Sequence, residues 1–312
     1  MPLLGLHHVT ATVDDAQEDL DFCLEALGLR LVKKTVNFDN HHVYHFYYGD
    51  ERGTPGTLWT TFPYKGHGVK VGTKGAGQVT VTSFSVPAGS LASWKARLRA
   101  LGIEVADIAP RFREDAIRFS DRSGLEFELV ATARDNRAPW TGGGVAPEGA
   151  IRGLHSVTIM VREPDKTVEM MTRVLGYAVA DETDGRIRMA VNGNAPGHAI
   201  DIRYDPNADV AVNGLGTVHH VAMAVADEDE QLRLRAELIQ FGCKVTEVRD
   251  RCYFRSIYFR EPGDVLFEVA TVRPGFLIDE DVAALGRDLK LPPWEEPNRA
   301  AIEAGLVPIA YR

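Results

Sequence analysis

Leu27-Gly28-Leu29-Arg30-Leu31 is echoed three more times along the chain, by Leu101-Gly102-Ile103-Glu104-Val105, Leu175-Gly176-Tyr177-Ala178-Val179 and Phe241-Gly242-Cys243-Lys244-Val245. The four glycines lie 74, 74 and 66 residues apart. Each closes an amphipathic stretch, such as Leu20, Leu24 and Leu27, or Leu91, Trp94, Leu98 and Leu101. Each therefore reads as the left-handed residue that ends a helix and passes the chain into a strand. Upstream of every helix is an alternating strand: Leu6 to Val13, Val79 to Val86, Leu154 to Val161 and Val218 to Val225. Downstream come strand-like runs joined by turns, as in Arg255 to Arg260, Glu261-Pro262-Gly263-Asp264 and Val265 to Ala270. The fold class is α+β, with four βαβββ modules.

Between the second and third modules, residues 135–150 carry Pro139, Pro147 and Gly142-Gly143-Gly144, a composition that holds neither helix nor strand. This linker divides the chain into a two-module N-terminal domain at 1–134 and a two-module C-terminal domain at 151–275. Residues 276–312, with Leu291-Pro292-Pro293-Trp294, read as a helical tail packed on the outside and carrying no chemistry. A sheet with one helix-covered face and one bare face must pair with another module, and a cavity between curved sheets is the expected product.

The 312 residues suit about two domains. Apolar residues make up 45% of the chain, enough for substantial cores, and 35 Lys+Arg against 44 Asp+Glu leave a net charge of −9. An acidic chain is a poor partner for phosphate backbones or anionic lipid, so neither nucleic acid nor membrane is expected as a partner. No apolar run reaches the roughly 18 residues of a membrane span, and the first residues do not read as a leader. Cys23, Cys243 and Cys252 form no CxxC pair, which fits a reducing, cytoplasmic setting and excludes a cysteine-ligated zinc.

The first strands of modules one and four each contain a histidine pair, His7-His8 and His219-His220. Strand alternation puts His7 and His219 on the apolar side, and turns His8, with Thr10 and Thr12, and His220, with Ala222 and Ala224, toward the cavity. The fourth module ends in Val265-Leu266-Phe267-Glu268-Val269-Ala270, where a carboxylate sits in apolar company that it tolerates only when paired or bound to metal. Two imidazoles and one carboxylate form the facial triad that leaves open positions on Fe(II). His8, His220 and Glu268 are the expected ligands, with Mn(II) as the other metal such a set accepts.

Modules two and three act as an internal control. Their corresponding strands offer His155-Ser156 and Val79-Thr80-Val81-Thr82, so a second site built from them lacks its histidines. Glu128 then reads as structural, paired on the surface with Arg118 or Arg122. In module one, aligning Gly56 to Thr61 on Gly263 to Glu268 puts Thr61 where a fourth ligand would stand, which leaves a three-ligand site. His41, His42 and His45 read as a solvated loop and not as a metal site.

These residues resemble the vicinal oxygen chelate superfamily, whose strand-helix-three-strand modules pair around a metal. Within it, nearly the whole chain is similar to the bacterial ring-cleaving dioxygenases of hydroquinones and chlorohydroquinones. The matching segments include Gly5 to Thr10, Asn37-Phe38-Asp39 with Val43-Tyr44-His45, Tyr47 to Asp50, Gly53 to Thr57 and Gly216 to Ala222. Further matches are Asp250-Arg251, Tyr258 to Gly263 and Leu289 to Pro293. The resemblance implies ferrous ligands from modules one and four, again His8, His220 and Glu268. It also implies a surrounding layer of catalytic residues, His7, His219, Arg251 and Tyr258. A tight turn at Pro262-Gly263 pairs Tyr258 with Phe267, so a bulge is needed to bring that tyrosine beside Glu268.

The implied activity is opening of an aromatic diol with incorporation of both atoms of O2, so the expected partners are a small aromatic substrate and O2, with a homo-oligomer as the default assembly. Two other readings stay open. One is a glyoxalase-like isomerase or lyase with Zn or Ni and a fourth protein ligand. The other is a non-catalytic binder of small aromatic or antibiotic molecules, which would not need the His8, His220 and Glu268 set.

Overall fold

The computed structural model describes residues 3–183 and 185–311. Module one comprises β1 (Leu3–Val13), α1 (Ala16–Asp21), β2 (Arg30–Asn37), β3 (Asn40–Gly49) and β4 (Leu58–Pro63). Module two comprises β5 (Gln78–Pro87), α2 (Leu91–Ala100), β6 (Val105–Asp107), β7 (Ala116–Ser120) and β8 (Glu126–Thr132). Module three has β9 (Gly153–Val161), α3 (Asp165–Arg173), β10 (Ala178–Thr183), β11 (Arg186–Ala190) and β12 (Ala199–Tyr204). Module four has β13 (Thr217–Val225), α4 (Glu228–Phe241), β14 (Arg249–Asp250), β15 (Arg255–Arg260) and β16 (Leu266–Thr271).

The helix ends follow their local chemistry. Asp15 caps α1 by accepting from the backbone of Gln17 and Glu18, and Asp227 caps α4 through Glu230. A π-helical turn, Phe22–Ala26, extends α1 toward Gly28. Gly28, Gly102, Gly176 and Gly242 all have positive φ, as the repeat requires.

Two eight-stranded sheets result, in the orders β14-β15-β16-β13-β1-β4-β3-β2 and β10-β11-β12-β9-β5-β8-β7-β6. Module one thus shares a sheet with module four, and module two with module three. The chain-order halves 1–134 and 151–275 therefore do not coincide with the sheets, because the antiparallel seams β1–β13 and β5–β9 join modules from opposite sides of the linker. The linker itself forms neither helix nor strand and is pinned by Arg137, which donates to the carbonyls of Gly56 and Leu154.

One continuous apolar core takes residues from all four modules, among them Val9, Phe127, Met170 and Phe267. The tail holds three 3₁₀ turns and one short helix, α5 (Arg299–Gly305). It covers the β2 edge through Lys290 N–H to the Lys34 carbonyl at 2.9 Å. Buried Lys33 anchors it further, pairing with Asp279 at 2.6 Å and with Glu280. Among the described residues, no helix is long and apolar enough to cross a membrane.

Candidate metal centre

The register of β1 against β13 slips at both histidine pairs. Leu6 faces Met223 and His8 faces Ala222, leaving His7 as an extra residue; Thr10 faces His220 and Ala11 faces Val218, leaving His219 extra. A bulge of this kind interrupts simple alternation and lets consecutive side chains share a face. His7 and His219 are therefore not confined to the apolar side, as alternation predicts. His7 Nδ1 lies 2.9 Å from His8 Nδ1, and His219 Nδ1 lies 2.7 Å from His220 Nδ1.

These contacts leave Nε2 of both inner histidines facing inward. His8 Nε2 is 3.2 Å from His220 Nε2, and the two are 3.3 and 2.8 Å from Glu268 Oε2. The ligand atoms of His8, His220 and Glu268 all lie within 4.8 Å of one another, and all three residues are buried. The Ser256 hydroxyl donates to Glu268 Oε1, whereas Oε2 has no well-aligned donor despite full burial. A buried carboxylate oxygen facing two imidazole nitrogens is a costly arrangement in itself, and a cation fits it. Burial opposes ionisation of Glu268, but His8 and His220 outweigh it and hold the carboxyl well below its usual range.

Tyr258 stands directly opposite Glu268. The bulge sits at the end of the hairpin, where a three-residue loop, Pro262 to Asp264, with its last residue left-handed takes the place of a tight turn at Pro262-Gly263. The loop closes with Glu261 N–H to the Val265 carbonyl, and Asp264 takes φ 72°. Arg251 Nε donates to Tyr258 Oη at 3.1 Å, and its Nη2 donates to Asp39 at 3.0 Å, tying module four to the β2–β3 turn. Burial and the nearby Glu268 carboxylate push the Tyr258 phenol above its ordinary range, so it stays protonated. Burial and His220 lower His219 to about 3, leaving a neutral imidazole.

The cavity beside these groups measures about 240 Å³ and is lined on the metal side by His8, His220, His219, Arg251 and Tyr258. Its remaining wall includes Phe38, His45, Tyr47, Phe62, Tyr64 and Phe254. An apolar, aromatic wall with a few convergent polar groups suits a single-ring ligand.

His45 corrects the solvated-loop reading. The turn at Phe38-Asp39 is tight and β3 starts at Asn40, but the ladder skips His41 to Val43; pairing with β2 resumes at Tyr44, and His45 is buried with Tyr47 while His42 stays exposed. Spacing to Tyr47 was the available signal. The fourth-ligand position needs correction too. Glu268 pairs with Ala222, two residues beyond His220, and Thr60 pairs with Thr10, two beyond His8. Thr60, not Thr61, is thus the counterpart of Glu268. Thr61 points to the other face and donates to Asp19 at 2.5 Å. Ser256 was also missed, since its importance lies only in the partner it finds across the hairpin.

The same register logic locates the counterpart site in the second sheet. Ser156 occupies the His8 position, and Glu128 and Asp201 lie opposite Ser83 and Thr158. Glu128 is fully buried and not on the surface. It accepts from Ser83 at 2.9 Å, from Arg118 Nη2 at 2.7 Å and from Arg111. Arg188, itself buried, spans Asp201 and Glu114 at 2.7 Å each. Arginines fill the space that a metal would take in the first sheet.

The chain's sequence matches the profile of the Glyoxalase/Bleomycin resistance protein/Dioxygenase superfamily over residues 5–129 and 153–269. The chain belongs to that superfamily. Similar members include the Bacillus subtilis (strain 168) protein named "Putative ring-cleaving dioxygenase MhqO", 41% identical over 99% of this chain and 97% of that one. The "Chlorohydroquinone/hydroquinone 1,2-dioxygenase" of Sphingobium indicum is 35% identical over 94% and 92% of the two chains. A crystal structure described as a "putative dioxygenase" of Bacillus subtilis superposes with a TM-score of 0.94 at 41% identity, covering 100% of this chain and 99% of that one. Within the superfamily, the chain groups with the ring-cleaving dioxygenases.

Proposed function

We propose that this superfamily member is an Fe(II)-dependent, extradiol-type dioxygenase that opens hydroquinone-like aromatic diols with O2 in the cytoplasm. The observation that carries the reading is the buried His8, His220 and Glu268 set at the end of an aromatic cavity, with Thr60 in place of a fourth acidic ligand. When bound, the ferrous ion would couple the diol to O2 through positions the protein leaves open. Mn(II) suits the same donors.

The residues of the chain would supply the rest. With His220 offering Nε2 to the metal, its Nδ1–H donates to His219 Nδ1, so the hydrogen of neutral His219 sits on Nε2. His7 plays the same part for His8 and also hydrogen-bonds the Thr271 backbone. Tyr258 keeps its proton and offers a second donor near the ligands, oriented by Arg251. Two donors at this end suit an oxygen on which negative charge develops. The aromatic wall holds the ring and excludes water.

The test is O2 uptake by protein purified without oxygen and loaded with Fe(II), using hydroquinone, chlorohydroquinone and catechol, alongside His8→Ala. Uptake with one ring class, lost in His8→Ala, supports the reading. No uptake with any ring despite bound iron would overturn it.

A further inference from the structure

His45 belongs to none of the roles above. It lies on β3, two strands beyond the His8 strand in the order β13-β1-β4-β3, hence roughly 10 Å away at the backbone. Among the described residues, the group able to hold a metal is His8, His220 and Glu268 without it. The ring is nevertheless buried and lines the same cavity from the opposite side.

Its orientation is fixed. Tyr47 and Phe62 flank the imidazole with centroids at 4.0 and 4.3 Å. Nε2 lies 3.0 Å from Thr60 Oγ1, which lies 2.7 Å from Thr10 Oγ1, and both threonines are fully buried. No other side-chain hydrogen bond engages the ring among the described residues, so Nδ1 is free to serve a molecule in the cavity. Burial keeps the imidazole neutral, well below its ordinary pKa. A neutral imidazole carries one hydrogen, and a threonine hydroxyl can give or take. The chain His45, Thr60, Thr10 can therefore present Nδ1 as an acceptor, with Nε2–H donating to Thr60.

Thr60 is the module-one counterpart of Glu268. The position that carries a metal-facing carboxylate in module four thus carries, in module one, the hydroxyl that holds His45. The polar groups of the cavity fall into a first set at His8, His219, His220, Arg251 and Tyr258 and a second at His45, while the remaining ones, Asn37, Asp39 and Tyr64, are bonded to one another and to Arg251. A ring held at one hydroxyl by the first set reaches the second only with a polar group on its far side.

We propose that His45, set by Thr60, accepts a hydrogen bond from the remote hydroxyl of the substrate and thereby makes the site select 1,4-diols over 1,2-diols and monophenols. This rests on the ring-cleaving reading. A site built to hydrogen-bond a hydroxyl rejects an analogue that lacks it, because its own polar group is then left unpaired.

The experiment measures ligand binding without O2 to the Fe(II)-loaded protein by calorimetry, using hydroquinone, catechol and 4-methylphenol, with O2 uptake recorded separately. His45→Phe keeps an aromatic ring between Tyr47 and Phe62. It should retain iron and weaken hydroquinone binding by about 10- to 100-fold, while 4-methylphenol and catechol change little. Equal losses for all three ligands, or no loss for hydroquinone, would overturn the assignment while wild-type O2 uptake with hydroquinone upholds the reaction. If the wild type neither binds these rings nor consumes O2, both fall. Should His45→Phe not fold, Thr60→Val decides: a smaller loss confined to hydroquinone supports the role, and an unchanged preference refutes it.

Discussion

Replacing His7 by Phe isolates what the β1 bulge does. The substitution keeps a ring to pack on Phe254, whose centroid lies 5.0 Å from that of His7, but removes the nitrogen 2.9 Å from His8 Nδ1. For His8 to offer Nε2 to a metal, its hydrogen must lie on Nδ1, and in the variant that N–H is buried without an acceptor. Both histidines are only 2% exposed, so water does not readily replace the lost partner. An unsatisfied buried donor costs about 1–3 kcal/mol. Loss of a group that orients a metal-bound histidine costs about 10- to 100-fold in affinity, which agrees with that range. His7→Phe should therefore weaken Fe(II) or Mn(II) binding by about 10- to 100-fold, measured by competition with a coloured chelator under nitrogen. His219→Phe should act similarly through His220, and the double variant should lose more than either. Undiminished metal affinity in both single variants would refute the claim that the bulges orient the ligands.

Tyr258→Phe should lower turnover by about 100-fold with iron content unchanged, read by O2 uptake and metal analysis; iron lost in step with activity would make the tyrosine structural. Glu114 is held at about 2 because His155 and Arg188 outweigh its burial, so its folded pKa lies below the unfolded value near 4.5. Its stabilisation, roughly 3 kcal/mol, is full above that value and fades as pH falls toward 2. Glu114→Gln should lose stability at pH 7 and show a shallower acid limb in urea titrations. Gly242 ends α4 at φ 106° with open space around its α-carbon, so Gly242→Ala should cost only the backbone term, about 1–2 kcal/mol by thermal unfolding.

The repeat of glycines made the four modules legible, since a left-handed helix end is a local property that the residue itself decides. His8, His220 and Glu268 were legible for a related reason: polar residues in apolar strands stand out, and their repeated positions imply one shared cavity. Register was not legible. Whether His7 or Thr61 faces the site depends on an extra residue or a one-residue shift in pairing, and a strand's own sequence records neither. His45 stayed hidden because its neighbour His42 is exposed and His41 only half-buried against Glu295, and the irregular stretch of β3 that separates them from His45 leaves no mark in the sequence. Which modules share a sheet was equally hidden in chain order.

The pairing of the outermost modules also makes synthesis directional. His8 and His220 are 212 residues apart, and β1 acquires its β13 neighbour only after the two inner modules have been made. At about 5–20 residues per second, the first module waits on the order of 10–40 s with one side of β1 unpaired. The inner modules are contiguous and can complete their own sheet during that interval. A ribosome that stalls or terminates early therefore releases a half-built sheet with an open edge, a target for chaperones and proteases. The group of His8, His220 and Glu268 comes together only at the end of translation, when the last module closes the seam.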